Sequence, residues 1–68
     1  MKLMELFNAM ANVIERVHLF YEEVGKVPSS LGVYKTFTIP EEYGRYEVCY
    51  FHIHDVDDNT HVDVVVKK

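Results

Sequence analysis

Apolar residues at Leu3, Leu6/Phe7, Met10, Val13/Ile14, Val17, Phe20/Tyr21 and Val24 recur in alternating steps of three and four. That is the period of an amphipathic helix. Lys2, Glu5, Asn8, Asn12, Glu15, Arg16, His18, Glu22 and Glu23 fill the other side. The pattern predicts one helix over residues 2–24, roughly 35 Å long at 1.5 Å per residue. Gly25 suits the position just past its end, and Pro28 lies where a helix cannot continue. Met4, Ala11 and Leu19 fall off the stripe, which widens the core contact or marks a helix–helix seam.

After "GKVPSS" the period changes from 3.6 to two. Leu31–Ile39 alternates, with Leu31, Val33, Phe37 and Ile39 on one face and Tyr34, Thr36 and Thr38 on the other. "PEEYG" (Pro40–Gly44) supplies turn residues. Arg45–His54 and His61–Lys67 alternate again around the polar turn "DVDDNT". Val, Tyr, Phe, Ile and Thr dominate these runs, as strands require. The expected fold class is therefore α+β: one N-terminal amphipathic helix packed on a three-stranded antiparallel β-meander (α-β-β-β). At 68 residues the chain is one small domain, 1–68.

A two-residue turn at Asp58-Asn59 would set Phe51 opposite Val66 and Ile53 opposite Val64. With Cys49 and Val62 these make an apolar face directed at the helix. His52, His54, His61 and Asp63 then share the opposite face.

Charge and composition exclude several classes. The net charge is −4, and only Lys67–Lys68 are adjacent bases, so the concentrated basic face that binds nucleic-acid phosphates is missing. No run reaches the ~20 apolar residues of a membrane span. Met1–Val24 is too interrupted by charge to act as a secretory signal. The single cysteine, Cys49, cannot form an intramolecular disulfide, which fits a cytoplasmic chain.

Chemistry is sparse. His52, His54, His61 and Asp63 are close enough on one face to reach a common ion, and zinc accepts three nitrogens and one oxygen. A metal-binding module on these four residues is the alternative to a solvated or pH-sensitive strand face. Asp55, Asp57 and Asn59 match the start of a calcium loop, but Thr60 stands where its Gly should be and Val66 where its bidentate Glu should be. Cys49 is expected in the core, away from the histidines, and Glu41–Glu42 lie in a solvated turn. No phosphate-binding Gly-rich loop, nucleophile elbow or CxxC is present, so no enzyme and no cofactor is expected.

One helix covers only one face of a three-stranded sheet. The other face is expected to show Tyr34, Tyr46, Val48, Tyr50, His52, His54 and His61, more apolar than solvent requires and rich in tyrosine, which combines contact area with a polar tip. Self-association would relieve both the small core and this patch. The sequence thus leads to a small, acidic, non-catalytic interaction protein in the cytoplasm. It would be an inhibitor or regulator of the phage or mobile-element type, binding another protein or forming a homodimer through the Tyr/His face.

Overall fold

The computed structural model describes residues 1–10, 14–35 and 38–68. Helix α1 (Leu3–Met10) is followed by strands β1 (Arg16–Tyr21) and β2 (Ser29–Tyr34). A 3-10 turn (Glu41–Arg45) then leads into β3 (Glu47–Val56) and β4 (Asn59–Lys67). The strands form one mixed sheet in the order β2-β1-β4-β3. Two antiparallel hairpins, β1–β2 and β3–β4, lie side by side, and β1 runs parallel to β4 at the centre.

The α+β class holds, but the sheet has four strands and is not all antiparallel. The helix expected over residues 2–24 ends at Met10, and its second half is a strand. Both readings fit the same residues. Val17 and Phe20/Tyr21 have helical spacing, yet Val17, Leu19 and Tyr21 also alternate against Arg16, His18 and Phe20. The strand wins because its backbone pairs on both sides, with β2 and with β4. In addition, it buries Leu19, which the helix would have left outside. Residues 11–13 of the expected helix, and Thr36 and Phe37 of the expected first strand, lie outside the described residues.

Helix α1 begins where Glu5 Oε1 accepts a hydrogen bond from the Lys2 backbone N–H at 2.9 Å, the reach-back half of a capping box. Its Leu3 and Leu6 bury against Ile14, Val17, Leu19, Val62, Val64 and Val66, which form the core on one face of the sheet. The aromatic rings of Tyr21, Tyr46, Tyr43 and Tyr34 line its margin in a chain of edge-on and tilted contacts 5.6–6.4 Å apart.

The β3–β4 turn is Asp57-Asp58, both at positive φ (50° and 67°), rather than Asp58-Asn59. Val56 faces Asn59 and Ile53 faces Val62, two residues away from the expected register. Two residues are a full pleat period, so the side chains of Tyr50–Val56 keep their expected faces. Further along, β3 carries a bulge between Val48 and Tyr50 that leaves Cys49 without a partner residue on β4.

Candidate functional site: an imidazole cluster on the open sheet face

Alternation along β1 and β4 sends Val17, Leu19, Val62 and Val64 into the core, and therefore His18, His61 and Asp63 to the opposite face. The register arranges that face in rows across the sheet. Val33, His18, Asp63 and His52 form one row, and Arg16, His61 and His54 form the next. On the other side of the first row stand Ser30, Phe20, Val65 and Tyr50. All four histidines of the chain meet here.

His18 Nε2 and His61 Nδ1 are 3.3 Å apart, a hydrogen bond in which one ring donates and the other accepts. His54 Nε2 donates to Asp63 Oδ1, also at 3.3 Å, with the two side chains 33% and 41% exposed. The ring centroids of His18, His54 and His61 form a triangle with edges of 5.5, 5.9 and 6.1 Å. His52 stacks on His54 at 5.9 Å with ring planes 15° apart. As the side chains stand, no three ligating groups among the described residues surround a common point.

No known protein family, curated protein or solved structure matches this chain.

Beside the histidines lies a hollow of about 290 Å³ lined by Phe20, Val27, Pro28, Tyr50 and Val65 together with His52 and Asp63. Its walls are apolar and its polar groups stand together, the combination small ligand sites and side-chain sockets share. Val65, at its floor, is 5% exposed although it faces away from the core.

The expected contact set divides in two. Tyr50, His52, His54 and His61 do lie on the open face. Tyr34, Tyr46 and Val48 pack half-buried against the core instead. Tyr34 faces Val17 and Val48 faces Val66, both core residues, while Tyr46 precedes β3 and joins the aromatic chain. In the metal alternative, His52, His54, His61 and Asp63 share the face, but the ring beside His61 is His18. A helix over residues 2–24 sets His18 apart from them. The alternation of Val17, Leu19 and Tyr21 carried the signal that places it.

Cys49 does not enter the core. It is half-buried, and its Sγ donates to Glu22 Oε2 at 3.2 Å. Burial pushes the thiol up, and the Glu22 carboxylate adds to that effect. Such a thiol is a poor nucleophile.

Proposed function

We propose that this chain is a small, acidic, non-catalytic interaction module, a regulator or inhibitor that occupies a partner protein through the open sheet face and the adjoining edge of β3. One observation carries the reading. β3 is ten residues long, lies at the sheet edge, and exposes apolar side chains on both of its faces. Tyr50 and Val56 protrude on the imidazole face, and Phe51 and Ile53 on the other, beyond the reach of the eight-residue helix. Phe51 and Ile53 remain 42% and 45% exposed although they share a face with the core.

Long, flat, apolar edges are normally blunted by charge, proline or a covering segment. Here only the start is covered. Val48 N–H donates to Met1 O at 2.8 Å, and Lys2 bridges Glu47. Among the described residues, nothing pairs with the outer side of Cys49–Val56. An extended segment of a partner can add to such an edge by main-chain hydrogen bonds, with side-chain sockets giving selectivity. The hollow beside Tyr50 is one such socket. A second copy can use the same edge across a two-fold axis, which makes a homodimer the self-associating form of the proposal.

A lone, half-buried thiol suits a cytoplasmic setting. Among the described residues no helix is long and apolar enough to cross a membrane.

The test compares wild type with the double variant Phe51→Lys/Ile53→Lys, both exposed positions. Light scattering after size exclusion reads the oligomer, and affinity capture from the native host reads partners. The variant should lose dimer or the specifically captured protein while keeping its circular dichroism. Identical oligomer and identical captured set in both proteins would sink the reading.

A further inference from the structure

We propose that His18, His61, His54 and Asp63 form a binding site for a single zinc-like transition-metal ion on the open sheet face, with His52 outside the ligand set. The proposal is independent of the partner-binding role.

Zinc–nitrogen bonds of 2.0–2.1 Å in tetrahedral geometry put neighbouring ligand atoms about 3.3–3.4 Å apart. Two such edges are already present. His18 Nε2 to His61 Nδ1 is 3.3 Å, and His54 Nε2 to Asp63 Oδ1 is 3.3 Å. They share no residue, so an ion that took up both pairs would hold them as opposite edges of its tetrahedron, with three nitrogens and one oxygen, a set zinc accepts.

The spacing of the rings agrees. An imidazole bound through nitrogen holds its centroid about 3.2 Å from the ion, so three tetrahedral imidazoles have centroids about 5.2 Å apart. The observed edges are 5.5, 5.9 and 6.1 Å. The triangle is nearly equilateral and opens by less than about 1 Å beyond the loaded geometry. In the arrangement described, the two pairs hydrogen-bond within themselves and no three groups surround one point. Closing the site requires the pairs to swing toward each other, which part-exposed side chains can do without moving the strands.

The strands supply the rigidity. His61 and Asp63 are alternate residues of β4, and β4 is paired on both sides, with β1 carrying His18 and β3 carrying His54. Three hydrogen-bonded strands therefore fix the four Cβ positions, a better platform than a loop. His52 faces Asp63 across the strands but stacks on His54, so its ring supports that ligand rather than joining it.

The experiment titrates zinc chloride into chelator-treated full-length protein by calorimetry, and follows the histidine ring nitrogens by NMR. Wild type should take up one zinc per chain, with ring signals of His18, His54 and His61 moving and that of His52 moving least. His18→Ala and His61→Ala should each weaken binding at least about tenfold, in the range second-sphere and ligand losses give, while His52→Ala stays within about threefold. The wild-type NMR result stands even where an alanine variant fails to fold. Absence of zinc uptake by folded wild type, uniform movement of all four rings, or full affinity in folded His18→Ala each overturns the assignment.

Discussion

His18 and His61 stand 43 residues apart in the chain, yet their Nε2 and Nδ1 atoms lie 3.3 Å from each other. The contact ties β1 to β4 on the face that the helix does not cover. Because one nitrogen must donate and the other accept, the pair is held only while they share a single bridging proton. A double-mutant cycle on His18→Ala and His61→Ala should give a coupling of about 0.5–1.5 kcal/mol in urea unfolding. A coupling near zero would mean that the rings are solvated independently.

Leu19 tests the strand that replaces the expected helix. Its side chain is wholly buried between the sheet and α1. Leu19→Ala should cost about 2–5 kcal/mol, since a cavity is added to the lost transfer energy. Val33→Ala on the neighbouring strand, half exposed, should cost less than about 0.5 kcal/mol. Equal, small losses in thermal melts of the two variants would contradict the burial of Leu19.

Gly32 holds a conformation closed to most residues, with φ at +119°. A Cβ there would come 2.9 Å from Tyr34 Oη, which is itself committed to a 2.6 Å hydrogen bond with the Leu31 carbonyl. Gly32→Ala should destabilise by about 1–3 kcal/mol. Adding Tyr34→Ala removes the clash but not the backbone strain, so the double variant should not recover wild-type stability in urea.

Glu47 sets the acid response of the N-terminus. Hydrogen bonds from Lys2 Nζ at 2.8 Å, and from the N-terminal ammonium at 3.2 Å, hold its carboxyl below the usual glutamate range. The folded state therefore binds this proton less readily than the unfolded chain. The stabilisation is complete above the unfolded glutamate pKa and fades as pH falls through the lower folded value. In melting temperatures followed from neutral to acid pH, Glu47→Gln should lose less than wild type over that window. Parallel curves would show that the bridge is fully screened, as exposed pairs often are.

Cys49 should alkylate more slowly than a cysteine in an unstructured peptide near neutral pH, because burial and then Glu22 raise its pKa and deplete the thiolate. Glu22→Gln keeps an acceptor but removes the charge, and should speed iodoacetamide labelling read by mass spectrometry. Unchanged labelling would leave burial as the sole cause.

Much of this molecule is legible in the chain, and the failure is local. The β3–β4 hairpin follows from alternation around a polar turn, and even its displaced register keeps His52, His54, His61 and Asp63 together, because the displacement is a whole pleat. Residues 16–21 are ambiguous in the sequence. Their apolar positions satisfy both periods, and the choice depends on a parallel partner more than 40 residues away that no local pattern records. Leu19, which the helical reading assigns to a wider core contact or a helix–helix seam, is wholly buried as a strand residue. Misplacing β1 also hid His18, and so left the cluster one imidazole short. Tyr34 turns to the core because β2 pairs with β1, opposite Val17, and Val48 because the bulge before Tyr50 reverses its face, neither of which local alternation records.

The pairing of β1 with β4 also governs when the fold can form. Each hairpin closes over a short stretch of chain, but the core joins Val17 and Leu19 to Val62, Val64 and Val66. Contacts this distant in sequence slow folding, because the loop must close before they contribute. During synthesis at about 5–20 residues per second, β1 must wait seconds for its central partner. Through that interval the β1 edge of the first hairpin has no β4 to pair with, so a chaperone or a neighbouring nascent chain has its best opportunity before residue 66 emerges from the ribosome.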